Sequence, residues 1–211
     1  MRRAEVVGAA LDVIAEHGPR VSTEQIAERA GIARPILYRH FSDADDLYDA
    51  VAQRIGELLV SELAPTMLSP EGSAREIITR IVRTYVVWFS ENTQLYQYLV
   101  SRSMEPHASE PGPAAAVRQQ IGELLRELVA GYVSLLNGDP QVADPLAFGL
   151  LGMTETAAAR WVTAPPASLG REELITHLAS WVWGSLDVAL RGIGLLLDPD
   201  VPLPQLPRRN D

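Results

Sequence analysis

Apolar residues recur at helical spacing along most of the chain, and glycine and proline cut the pattern into helix-sized pieces. Hardly any stretch shows the strict alternation of a half-buried strand, so the fold class is all-α, with about nine helices. Val6, Ala10 and Ile14, with Val7 and Leu11 beside them, predict a helix from Arg3 to His17 that Gly18-Pro19 ends. Ser22 followed by Gln25 is a capping-box pattern opening a short helix from Thr23 to Ala30. Gly31 suits the left-handed turn that would end it. A third short helix is expected from Arg34 to Phe41, with Pro35 in the first turn, where its missing N–H costs nothing. Asp43 or Ser42 then caps a longer helix from Ala44 to Leu63, which Pro65 should break.

The remainder reads as longer helices. Ser73 with Glu76 opens one that runs to Asn92, and a shorter one covers Gln94 to Ser103. Three prolines and a glycine from Met104 to Pro113 predict a mobile loop. Helices from Ala114 to Leu136, Pro145 to Val162 and Arg171 to Leu197 complete the pattern. The tail from Asp198 holds four prolines and is expected to be extended and poorly ordered. The predicted domains are 1–46, a helix-turn-helix module, 47–197, a larger helical domain, and 198–211, a flexible Pro-rich tail.

Composition removes several function classes. No cysteine is present, which excludes disulfides, thiolate chemistry and cysteine zinc sites. With 27 acidic against 18 basic residues the net charge is −9, which argues against bulk polyanion binding but leaves room for a local basic patch. No apolar stretch escapes charge or proline for long enough to span a bilayer, so a cytoplasmic protein with no membrane partner is expected. His17, His40, His107 and His177 form no metal-ligand spacing, and Gly192 with Gly194 forms no phosphate loop. Neither an enzyme nor a cofactor is expected.

Charge placement singles out one segment. From 29 to 42 there are three arginines, one histidine and no acid, whereas four acids follow between Asp43 and Asp49. Spacing alone fits both an ordinary helical hairpin and a helix-turn-helix whose second short helix enters the major groove. Leu37 and Phe41, four apart, can face a core and leave Arg34, Ile36, Tyr38, Arg39 and His40 outside. A solvated basic face has no need of an exposed Ile36 and Tyr38. DNA does: arginine suits phosphate or guanine, a tyrosine hydroxyl suits phosphate, and an aliphatic side chain suits a thymine methyl.

Ser22-Thr23-Glu24-Gln25-Ile26-Ala27-Glu28-Arg29-Ala30-Gly31-Ile32, then Leu37-Tyr38-Arg39-His40-Phe41, then Leu47, resembles the N-terminal signature of the tetracycline-repressor (TetR-like) family. The resemblance covers about the first quarter of the chain. It implies a homodimeric repressor that binds a palindromic double-stranded DNA operator and releases it when a small-molecule effector enters the helical body. It also implies DNA contacts by Thr23, Arg34, Pro35, Ile36, Tyr38, Arg39 and His40. Three positions depart from the pattern. Ala33 replaces a frequent serine cap, Pro35 and Ile36 stand where glycine and a small hydroxyl residue are common, and Ala44 stands where a lysine is common. The acids Asp43, Asp45 and Asp46 suit a helix N-terminus but would repel phosphate. They leave open a second reading, a helical protein-interaction module without operator binding.

In the body, Leu174, Leu178, Trp181, Val182, Leu186, Leu190 and Ile193 cover more than one stripe of the last helix, which must therefore be buried on two sides. A two-fold, four-helix interface is expected, with Ala158, Trp161, Leu178, Trp181, Leu186 and Leu190 at the dimer face. For a lipophilic effector the aromatic and polar candidates are Tyr85, Trp88, Phe89, Tyr96, Tyr98, Met104, Tyr132, Phe148 and Glu155. An aromatic stripe such as Ile81, Tyr85 and Trp88 is more often plain core than pocket.

Overall fold

A computed structural model describes residues 3–103, 112–164 and 168–205. Among them are nine α-helices, one 3-10 turn at Pro140–Val142 and no strand. The Met104 candidate and most of the expected 104–113 loop lie outside the described residues. The chain forms two compact units, Met1–Val60 with Glu91–Gln119, and Ser61–Ser90 with Gln120–Asp211. The first is larger than the predicted 1–46 module.

In the first unit, α1 (Arg3–His17) turns Val6, Ala10, Val13 and Ile14 inward. α2 (Thr23–Arg29) starts at the predicted box: the Gln25 N–H donates to the Ser22 hydroxyl at 3.3 Å, and the Ser22 N–H to the Gln25 side chain at 2.8 Å. Gly31, with φ +68°, ends it in a Schellman turn, Gly31 N–H to Glu28 and Ile32 N–H to Ala27, both at 3.0 Å. α3 (Arg34–Leu37) is one helical turn, shorter than expected. The path to Phe41 continues through turn hydrogen bonds, Arg39 to Ile36 at 3.1 Å and His40 to Leu37 at 2.9 Å. Ala33 provides no side-chain cap. α4 (Ala44–Leu68) and α6 (Thr93–Ser103) complete this framework, α6 packing on α1. Ile14, Ile26, Leu37, Phe41 and Leu47 form its fully buried centre.

α4 runs past Pro65, against expectation. The proline removes one backbone hydrogen bond, but only three residues follow it in the helix, and buried Leu63 and Met67 hold its last turns against the core.

The second unit is built from α5 (Ala74–Glu91), the later part of α7 (Pro113–Leu135), α8 (Ala143–Thr163) and α9 (Arg171–Gly192). The Ser73–Glu76 box caps α5, and the Glu173 carboxylate caps α9 by accepting from the Gly170 N–H at 2.9 Å. Arg83 of α5 pairs with Glu172 of α9 at 2.8 Å. α9 stops five residues before the predicted Leu197. Gly194, with φ +81°, adopts a left-handed turn, so the Leu195 N–H folds back onto the Leu190 carbonyl at 2.9 Å. Residues 198–205 are not a loose tail but lie paired along the start of α5. No helix among the described residues is long and apolar enough to cross a membrane.

Candidate functional site

The Schellman turn at Gly31 reverses the chain between α2 and α3, and the buried Leu37 and Phe41 anchor the second arm. Leu37 is wholly buried, whereas its neighbour Ile36 is 40% exposed. Arg34, Pro35 and Arg39 are exposed as well, and Tyr38 and His40 are half-buried. The structure thus presents six of the seven expected contact residues on one surface segment. Thr23 differs. It is only 4% exposed, with its hydroxyl 3.4 Å from the Glu24 carboxylate, so little of its side chain is open to an incoming duplex.

The three arginines of the segment are not equivalent. Arg29 is engaged by Glu16 of α1, its Nη1 at 2.9 Å. Arg34 pairs with Glu24 and donates to the Tyr38 hydroxyl at 3.4 Å, its guanidinium 5.6 Å from the ring centre. That hydrogen bond, and after it the one from Thr23, lowers the Tyr38 hydroxyl below the usual tyrosine range. Arg39 has no acidic partner among the described residues, which leaves its guanidinium available to an incoming anion.

The acids that open α4 have internal work. The Asp43 carboxylate accepts the Asp46 N–H at 2.8 Å and so caps the helix. Asp46 accepts the Ser42 N–H at 3.0 Å and pairs with Arg3. Arg3 in turn donates to the His40 carbonyl at 2.9 Å and lies 4.3 Å over the Phe41 ring. Arg3 and the Ser42 N–H hold the Asp46 carboxyl at about 2. Asp46 therefore clamps the end of the recognition segment instead of standing as a free charge, a use that charge counting along the sequence missed.

The second unit contains a cavity of about 110 Å³. Tyr85 and Tyr132 line it, but the other expected effector residues described here do not. Phe89 stacks on Tyr85 at 4.6 Å and Trp88 meets Phe89 edge-on, so both are core. Phe148 fills the notch left by Gly122, with no room there for a Cβ. Glu155 lies on α8 outside the lining. Tyr96 and Tyr98 belong to the first unit, where the Tyr98 hydroxyl donates to the Tyr48 carbonyl at 3.4 Å. The actual wall is aliphatic, with Ile77, Ile81, Leu125, Val129 and Leu150 prominent in it. Leu186 and Leu190, expected at a dimer face, also line the cavity.

The remaining dimer candidates divide by the same logic. Ala158 and Leu178 are fully buried, and the Trp161 indole N–H donates to the Leu169 carbonyl at 2.9 Å. Trp181 is 51% exposed and stacks on His177. His177, Trp181, Gly184 and Val188, at helical spacing, form an uncovered stripe of α9 that borders the core residues.

An α-helical chain with a helix-turn-helix whose second arm carries exposed cationic and aliphatic groups beside a half-buried phenol has the makings of a DNA-binding transcriptional regulator. The family described as "Bacterial regulatory proteins, tetR family" matches residues 6–51, and "Tetracyclin repressor-like, C-terminal domain" matches residues 62–192. The chain belongs to the tetR family of bacterial transcriptional regulators, a family of regulators and not of enzymes.

An uncharacterized HTH-type transcriptional regulator of Mycobacterium tuberculosis is 26% identical over 88% of this chain and 77% of its own. The HTH-type transcriptional activator FasR of Mycolicibacterium smegmatis is 26% identical over 88% of this chain and 83% of its own. A tetR-family regulator from Streptomyces coelicolor has the same fold, with a TM-score of 0.71 at 22% identity over 90% of this chain and 82% of its own.

Proposed function

We propose that this regulator is a homodimeric repressor that holds a palindromic operator and lets go when a small lipophilic effector occupies the cavity of its second unit. The observation that carries this reading is the coexistence, in one chain, of an exposed recognition segment and a charge-free, apolar cavity. Arg39 and the Tyr38 hydroxyl would meet phosphate or base edges, Ile36 a thymine methyl, and Arg34, Pro35 and His40 the flanking backbone. Thr23 would act through Tyr38. The exposed α9 stripe around Trp181 would form the two-fold contact, setting two recognition segments for successive major grooves about 34 Å apart. An effector shifts this arrangement only by binding the released state more tightly than the bound one. Such a protein would work in the cytoplasm.

Fluorescence anisotropy with a palindromic duplex from the protein's own promoter region, against a scrambled duplex, tests the reading. A specific complex is expected at low salt, and its absence would overturn operator binding in favour of a helical protein-interaction module. The activator name of the M. smegmatis relative supports a second reading, in which operator binding raises transcription. In vitro transcription from the bound promoter separates the two by sign.

A further inference from the structure

The chain's own C-terminal segment walls the cavity. After the turn at Gly194, residues 198–205 run back across the start of α5. The Leu203 N–H donates to the Gly72 carbonyl at 2.9 Å, the Arg75 N–H to the Pro199 carbonyl at 3.0 Å, and Ser73 and Pro202 form an antiparallel bridge. The Arg75 guanidinium grips both carboxylate oxygens of Asp200, at 2.6 and 3.2 Å. Leu197 and Leu203, at either end of this strap, face the cavity.

The wall is chemically selective. No charged side chain lines it, and the Thr154 hydroxyl is already donated to the Leu150 carbonyl at 2.9 Å. A carboxylate or ammonium placed here would lose its hydration with nothing to replace it. An uncharged alkyl chain would not.

We propose that the cavity takes an uncharged, largely aliphatic ligand, and that residues 197–203 form a strap that lifts for each binding and release. This rests on the reading of the cavity as the effector site. The strap is suited to local opening. It is held by one exposed ion pair, a few backbone contacts and the half-buried Leu197 and Leu203 at its ends, and its prolines offer no further N–H groups, so it can detach at a fraction of the cost of unfolding.

The test uses the full-length protein and the neutral fluorophore N-phenyl-1-naphthylamine in stopped-flow binding, with decan-1-ol and decanoate as competitors at about pH 8, where the carboxylate is ionised. Decan-1-ol should displace the probe about tenfold or more better than decanoate. Val129→Trp, or the milder filling Ile81→Phe, should abolish probe binding while circular dichroism shows an unchanged helix content. Asp200→Asn should raise association and dissociation rates together by about two- to fivefold, and the charge exchange Arg75→Asp with Asp200→Arg should restore them. If filling abolishes binding but Asp200→Asn leaves the rates unchanged, the strap is overturned and the effector cavity stands. If decanoate competes as well as decan-1-ol, the ligand class is wrong. If the probe does not bind, or binds equally to the filled variants, the cavity reading fails and the strap with it.

Discussion

The recognition module and the helical body bury their apolar residues in opposite ways. In the module, Ile14, Ile26, Leu37, Phe41 and Leu47 close a small core completely, and its polar residues are spent on caps, a turn and the Arg3–Asp46 clamp. In the body, aliphatic side chains from α5, α7, α8 and α9 surround a space that they leave unfilled. The first arrangement fixes one shape, as a reader of DNA geometry requires. The second keeps an internal vacancy at the expense of packing, as the proposed effector site requires.

Substitutions that change volume test this contrast most strongly. Leu37→Ala should destabilise the protein by about 2–5 kcal/mol, because the module has no slack to absorb the lost atoms. Val129→Phe at the cavity should cost less than about 1 kcal/mol or raise stability, since it fills existing space. Thermal unfolding of both variants makes the comparison, and equal losses would erase it. Trp181→Ala should weaken self-association by about 2 kcal/mol or more while leaving the helix content intact, as sedimentation of wild type and variant would show.

The clamp gives a pH signature confined to the module. Asp46 titrates at about 2 in the folded protein against an ordinary 3.8, so its contribution is complete above about 3.8 and disappears as the pH falls towards 2. With solvent screening it amounts to about 1–2 kcal/mol. Asp46→Asn should therefore be less stable than wild type at neutral pH, and the gap should close on acidification. A gap that persists at pH 2 would mean that the clamp is not electrostatic. Smaller still, Glu24→Gln should tighten operator binding by a few-fold, because it frees Arg34 from its carboxylate partner.

The module was legible in the sequence because its decisive signals are local. Ser22 and Gln25 stand three residues apart, Gly31 needs a left-handed φ, and α1 begins and ends where the apolar stripe and Gly18 place it. The Arg3–Asp46 clamp was not, since 43 residues separate its partners. In the body the same limit bears harder. A stripe at helical spacing looks identical whether it faces core, cavity or partner, so aromatic residues drew attention while the cavity wall is mainly leucine, isoleucine and valine. The proline-rich tail read as loose because the residues that hold it, Arg75 and Gly72, lie more than a hundred positions away. Gly194 did carry the signal for the end of α9, and Pro65 misled because a proline near a helix end is tolerated when its neighbours are buried.

The salt dependence of the operator complex tests most directly whether this acidic protein reads DNA through the short segment ending at Phe41. If each subunit of a dimer neutralises about three phosphates, the logarithm of the binding constant should fall against the logarithm of salt concentration with a slope of roughly −5. Arg39→Ala should reduce that slope by about 2 in the dimer, one phosphate per subunit. A specific complex whose slope is unchanged by Arg39→Ala would contradict the account, because the DNA would then be held by some other surface.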